Sequence, residues 1–314
     1  MRLVRPLLAA AALVAVPCIP SIAHAQEEPI TANETRDRTV GGHTFIPTQL
    51  IGTPFNVTSF GSLTGFGYAR ATVTDSNGMP FTANFAALSQ GFDASIKITD
   101  YVSIRLGASG SVFSGVDLAS ALFPGGRVNA EADAGVSFSL PFANRLRMGF
   151  AFDASYAPAY RVIPLIPLAA TVAQQRLTSS GLLVNEQALQ LGGAWQMALA
   201  LHRSLGVFGE MRYTQAFASF NGDPSSYAFF SSGAGISFDL HAVTPIPFGI
   251  LGVWRATIPV GGGDITHDFS AGFFYTGRRH LVLGPEASLT APGTAGGLSK
   301  QLVAQGALIL RYYW

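Results

Sequence analysis

The last thirteen residues, Leu302-Val-Ala-Gln-Gly-Ala-Leu-Ile-Leu-Arg-Tyr-Tyr-Trp314, decide the fold. In an extended chain successive side chains point to opposite faces. Leu302, Ala304, Gly306, Leu308, Leu310, Tyr312 and Trp314 then share one face, which suits hydrocarbon. Val303, Gln305, Ala307, Ile309, Arg311 and Tyr313 share the other, which carries the polar groups. That is the period of a strand with two different solvents on its two sides.

The same test succeeds upstream. Val128, Ala130, Ala132, Ala134, Val136, Phe138 and Leu140 oppose Arg127, Asn129, Glu131, Asp133, Gly135, Ser137 and Ser139. Leu205, Val207, Met211 and Tyr213 oppose Glu210, Arg212 and Thr214, with Phe208 breaking the pattern on the polar side. Twelve segments qualify: 60–74, 84–98, 102–112, 127–140, 145–156, 187–201, 205–215, 228–240, 248–258, 268–276, 280–289 and 301–314. The first has ambiguous parity. The connections alternate short and long. Short ones fall at Thr99-Asp100-Tyr101, Pro141–Asn144, His202-Arg203-Ser204, Ala242–Pro245 and Gly277-Arg278-Arg279. Longer ones fall at 75–80, 113–125, 157–185, 219–226, 259–266 and 290–299.

Composition agrees. The 314 residues include 35 Gly, and only 12% are charged, about half the proportion of an ordinary soluble domain. Past residue 25 no run of about 18 apolar residues exists, which excludes a helical membrane protein. A soluble β-sandwich would alternate too, but with more charge. The formal charge of +1 gives no ground for a nucleic-acid partner. The fold class expected is all-β: a single closed antiparallel transmembrane β-barrel of about twelve strands with an irregular N-terminal arm.

Three domains follow. Residues 1–25 read as a secretory signal: Arg2 and Arg5, then the apolar run 7–16, then Ala23-His24-Ala25 before the cleavage point. Cleavage removes the one cysteine, Cys18, and leaves 17 basic against 18 acidic residues. Residues 26–57 form the arm, polar first and then Pro-punctuated, either free in the periplasm or inserted as a plug. Residues 58–314 form the barrel.

In these features the chain resembles bacterial outer-membrane β-barrel proteins as a class. The signal segment, the Gly-rich alternating body and the terminal Leu308, Leu310, Tyr312 and Trp314 carry the resemblance. It implies an outer-membrane location, both termini periplasmic, lipid around the wall, and the barrel-assembly machinery as a partner that reads those terminal residues.

The polar parity gives the contents of the lumen. The charge network expected there comprises Asp93, Lys97, Arg105, Arg127, Glu131, Asp133, Arg147, Asp153, Glu210, Arg212, Asp239, Arg255, Asp268, Glu286 and Arg311, with Arg145 on the same parity. Both signs are equally represented, which favours Arg–carboxylate pairs over a single-sign selective ring. Small residues of that parity, including Gly107, Gly135, Gly192, Gly233, Gly235 and Gly272, leave room for a solute. Trp195, Trp254, Tyr156, Tyr213, Tyr312 and Trp314 are candidates for the interfacial aromatic girdles.

No catalytic residue, metal site or cofactor is expected. His202 and Ser204 share a strand face but lie at a short turn, and the remaining histidines are scattered. The function expected is a channel or uptake barrel for a small solute. A hydrophobic solute is one form of it, suggested by the apolar stretches 116–123 and 162–173 and a helix near 168–177. Fatty-acid and aromatic-hydrocarbon channels are similar in such loops and in an N-terminal plug, though generally with more strands. The alternative is a structural or surface-interaction barrel closed by its charges, and an outer-membrane lipid hydrolase is a distant third. Trp314→Ala is expected to lower the yield of assembled barrel several-fold, measured as heat-modifiable protein in outer-membrane fractions. Unchanged yield would contradict the assembly signal.

Overall fold

A strand whose two faces meet different media cannot leave an open edge in a membrane, because hydrocarbon offers no partner to an unpaired N–H or C=O. The chain meets this by closing. A computed structural model of the protein describes residues 38–74, 80–117, 126–162, 183–220, 223–291 and 302–314. Within these, a small hairpin of β1 (Thr39–Val40) and β2 (His43–Thr44) precedes the wall. The wall runs through β3 (Ser59–Thr74), β4 (Pro80–Lys97), β5 (Val102–Gly115), β6 (Gly126–Ala143), β7 (Leu146–Val162) and β8 (Leu183–His202). It continues through β9 (Leu205–Phe220), β10 (Asp223–Asp239), β11 (Phe248–Val260), β12 (Thr266–Arg278), β13 (Leu281–Ala291) and β14 (Leu302–Tyr313).

Each wall strand pairs antiparallel with its neighbours in sequence, and β14 pairs with β3 from Leu302↔Arg70 to Tyr313↔Ser59, which closes a twelve-stranded barrel. The strands reach further than their sequence pattern shows, chiefly at the long-loop end. β8 has 20 residues and β7 has 17, against 11 in β13, so the wall is tall on one side. The expected connection 219–226 becomes mostly strand.

Bulges lie at the short-turn end, between Pro141 and Ala143 and between Ala200 and His202. The first carries a residue that cannot donate to the ladder. It also moves the β6–β7 turn to Asn144-Arg145, so Arg145 is an exposed turn residue and not a lumenal one. The first wall strand explains its own ambiguity. Gly61, Leu63, Gly65 and Gly67 face inward, while Ser62 and Thr64 share the outer face with Phe60 and Phe66. Neither side of β3 is charged over that stretch, so parity had no contrast to show.

The outer wall is a band of exposed apolar residues, among them Leu308, Leu310 and Phe150. Tyr68, Tyr156 and Tyr213 stand near its upper rim, each with an amide partner: Asn84, Gln187 and Gln215. Tyr312 and Trp314 pair at the lower rim. Eight residues separate Phe60 from Tyr68, roughly 20 Å of height for a strand tilted about 40°. Trp195 sits well inside β8, between Phe150 and Met211 on the neighbouring strands.

The buried core lies inside the barrel, at the short-turn end. The arm turns back into the lumen, and Val40, Phe45, Ile46, Ile51, Phe55 and Val57 meet Phe208, Leu251, Val253, Phe274, Val282, Ile309 and Tyr313 from the wall. Phe45 packs edge-on to Phe208 with centroids 6.3 Å apart. Phe208 thus breaks the parity rule because the arm, not water, faces it. Phe45→Ala removes the centre of this cluster, a change of about 3–5 kcal/mol in a well-packed core. Amide exchange over 43–57 is expected to accelerate more than tenfold while barrel amides stay protected. Unaltered exchange in the arm would show that Phe45 does not anchor it.

Candidate functional site

The arm and the charged lumen form one site. The arm touches the wall from β5 round to β14, at β12 through the apolar cluster that includes Phe274. Asn56 Oδ1 accepts from Ser103 and Ser137, each at 3.1 Å. Ser139 donates to the Pro54 carbonyl. Phe55 lies under the Arg147 guanidinium, 5.7 Å from ring centroid to carbon. Gly52 N–H donates to Glu210 Oε2 at 3.0 Å, and a Cβ at Gly52 would collide with the Gln196 amide and with that carboxylate. Only glycine lets the backbone come this close. Leu50 offers its carbonyl to Arg255 Nη1 at 3.0 Å, and Thr48 donates to Glu286 Oε1 at 2.9 Å. At the lower end Arg38 stacks 4.3 Å above the Tyr313 ring.

Above the arm the charges pair around the wall, mostly by reaching over an intervening strand. Arg212 reaches both oxygens of Asp153, at 2.6 and 2.9 Å, and Glu210 Oε1 at 3.2 Å. Gln196 donates to the other Glu210 oxygen at 2.8 Å. Arg255 donates from Nε and Nη2 to Asp268 Oδ2 at 2.9 and 2.8 Å, and Thr290 donates to Asp268 Oδ1. Arg311 meets Asp93 at 2.7 Å. Nearer the mouth Arg127 meets Glu186 at 2.9 Å and also donates to Asn129. Two-oxygen and two-nitrogen contacts of this kind fix orientation as well as charge.

The remaining sequence candidates distribute as follows. Arg105 lies among Asp133, Asp153, Glu210 and Arg212. Glu131 and Asp133 are exposed and border the lumenal cavity. Ser270 and Thr48 both donate to Glu286. Lys97 pairs with Asp100 at the β4–β5 turn. Asp239 accepts from Thr276 and from the His241 amide, and Arg147 is buried under the arm. The last three therefore belong to the short-turn end and not to the central network. His202 Nδ1 and Ser204 Oγ are 2.9 Å apart, and the Ser204 amide donates to the same nitrogen, which closes the β8–β9 turn. Among the described residues no group of three or more His, Cys, Asp or Glu is placed to hold a metal ion.

The room expected beside small lumenal residues is largely taken. The Gly233 position is filled by Ile51, Gly235 by Phe208, Gly272 by Phe274, Gly107 by Asp133 and Gly192 by the Asp153–Arg212 pair. What remains is a cavity of about 820 Å³ between the arm and the charged wall, bordered by Leu50, Gly52, Asp93, Arg105, Arg212 and Arg255 among others.

Comparison places this architecture. No protein-family model matches the chain, and no curated protein matches its sequence. The translocator domain of the autotransporter NalP from Neisseria meningitidis is similar in structure, with a TM-score of 0.53, 9% identity, and 83% of this chain and 90% of that one covered. The fold is that of the outer-membrane β-barrels. The toluene transporter TodX from Pseudomonas putida also aligns, with 13% identity over 89% of this chain and 97% of that one, at a TM-score of 0.42.

Sequence reasoning found the lumenal charges and missed the groups that hold the arm: Arg38, His43, Thr48, Gly52 and Asn56. The apolar spacing Phe45-Ile46, Ile51, Phe55, Val57 and the misplaced Phe208 were the available signals. The apolar stretch 162–173 beyond Val162, the helix near 168–177, the signal segment and the arm before residue 38 lie outside the described residues, as does part of 116–123.

His43 sits at the hinge of this seat. Its Nδ1–H donates to the Arg203 carbonyl at 3.3 Å, and Nε2 is 3.3 Å from the Ser237 hydroxyl, which itself accepts from the Ile46 amide at 3.2 Å. Burial lowers the His43 pKa below 6.5; the Arg203 carbonyl and Asp239 oppose the shift, and Arg38 adds to it. A released arm therefore binds a proton more readily than a seated one. Seating is at full strength above about pH 6.5 and weakens as pH falls through and below that value. Amide exchange in 43–57 is expected to be faster at pH 5 than at pH 7.5 beyond the intrinsic pH effect, and His43→Gln to remove the difference. An equal dependence in that variant would assign it to other groups.

Proposed function

We propose that this barrel is an outer-membrane passage for a small polar solute, held shut at rest by its own N-terminal arm. The observation that carries the reading is the 820 Å³ cavity, walled by paired charges of both signs and floored by a segment that hydrogen-bonds to two of them, Glu210 and Arg255. A lumen built only for rigidity has no need of a removable floor. The same hydrogen bonds that seat Thr48, Leu50 and Gly52 mark where a solute must compete with the arm.

The wall chemistry selects within the solute class. Fixed Arg and carboxylate groups, with Ser, Gln and Asn nearer the mouth, suit a molecule with hydroxyl, amide or zwitterionic groups. The hydrophobic form of the expectation rested on loops outside the described residues, and the described lumen gives it no apolar path. No bond-making step enters this reading, which treats the protein as a conduit and not as an enzyme. Ser59 and Tyr313 lie at the end that carries the short turns, which supports a periplasmic position for both termini. Lipid around the apolar band, and assembly machinery reading Leu308, Leu310, Tyr312 and Trp314, remain part of the proposal.

A second reading, a closed structural barrel, is favoured by the reach of the arm around most of the wall. Planar-bilayer recording separates the two. Wild-type protein is expected to be nearly silent, and deletion of 38–56 to give stable conductance several-fold above it. Silence of the deletion variant, with its heat-modifiable mobility intact, would reject the passage and leave the structural barrel.

A further inference from the structure

The outer wall carries one polar pair where it has no reason to be. Thr64 on β3 and Gln90 on β4 are direct cross-strand partners, and both side chains are exposed on the outer face. The Thr64 hydroxyl donates to Gln90 Oε1 at 2.6 Å, while Gln90 Nε2 has only a long contact, 3.5 Å, to the Gly91 carbonyl. Thr64 lies midway between Phe60 and Tyr68, the residues near the lower and upper rims of the apolar band. Other outward amides sit at the upper rim beside tyrosines. Gln90 is the amide of the middle band among the described residues.

Hydrocarbon cannot hydrogen-bond an amide, and lipid headgroups do not reach the middle of the bilayer. A membrane-facing polar group at that depth marks contact with protein. The neighbourhood fits such a contact. Gly110 directly beside Gln90 is small, Leu308 and Phe92 flank the pair, and Phe66, whose ring lies over Gly306, and Leu88, each 69% exposed, stand above it as knobs. About a third of the way round the barrel, on β11 and β12, the outer wall carries Trp254, Phe269, Phe273 and Ile250 and no amide in the band.

We propose that the β3–β4 face is a self-association surface, occupied by a second copy of this chain about a two-fold axis near Gln90. A primary amide is both donor and acceptor, so two related Gln90 side chains satisfy each other with no other residue required. Two copies inserted in the same sense share a two-fold axis along the membrane normal, so each group meets its own kind or a neighbour at the same depth, and Phe66 and Leu88 of one copy meet those of the other above the Gln90 pair. The proposal assumes the outer-membrane setting of the passage reading but not the passage itself.

Cysteine cross-linking in outer-membrane fractions tests it, in a Cys18→Ala background so that the introduced thiol is alone. Thr64→Cys is expected to give a disulfide-linked dimer of twice the chain mass, and Phe269→Cys to stay monomeric. Gln90→Leu added to Thr64→Cys is expected to reduce the dimer at least fivefold with heat-modifiable mobility unchanged. A monomer only, equal cross-linking from the Phe269 side, or a linked species whose mass requires a different protein would each overturn the assignment. Native mass measurement of the wild type in detergent supplies the independent arm: a dimer lost in Gln90→Leu supports the proposal, and a monomer at all concentrations opposes it.

Discussion

Closure of the wall governs everything else in this molecule. Twelve antiparallel strands satisfy their backbone groups only because β14 finds β3, and that single junction removes the last open edge. Once the ring is shut, each residue is assigned by parity to lipid or to lumen. The cost of a charge on the lipid side, about 2–4 kcal/mol for Arg or Lys at mid-depth, then sorts the sequence. The outer face is left to apolar and small residues, and the charges accumulate within.

The interior is not one environment. Its lower storey is a hydrophobic core made jointly by wall and arm, where Phe45, Ile46 and Ile51 meet Phe208, Leu251 and Phe274. Its upper storey is a lattice of ion pairs, with Arg212 between Asp153 and Glu210 and Arg255 on Asp268. The arm belongs to both. Its apolar residues bury in the first, while the backbone of Leu50 and Gly52 hydrogen-bonds to the second. An ordinary lumenal ion pair is shared between strands; these are shared with a segment that is not part of the wall.

Parity made most of this legible before any coordinates. Charge at alternate positions in 127–140 and 205–215 was enough to assign faces, because one face paid a large penalty for any mistake. Where neither face carried charge, as in 60–69, the rule had nothing to act on. It also assumed that inward means wet. Leu251, Val253 and Phe274 refute that assumption, since a lumen filled with protein rewards apolar side chains as any core does. The arm itself was unreadable in detail. Its contacts are single backbone groups and isolated side chains, spaced irregularly and joined to distant partners such as Ser103, 47 residues from Asn56, and Glu286, 238 residues from Thr48, so no local period could report them. Arg145 went astray for a smaller reason: a bulge at Pro141 to Ala143 shifted the turn onto it.

The route by which the arm enters the wall has a kinetic meaning. Val57 and Thr58 join it without a break to β3, and the Thr58 carbonyl accepts from the Trp314 amide, beside the closing junction. The floor of the lumen is therefore a ligand on a very short leash. A tethered occupant rebinds as an intramolecular event, at an effective concentration in the millimolar range for a short flexible connection. On the proposed reading, a solute meets a rival that never diffuses away, and weak individual contacts suffice to keep the lumen occupied.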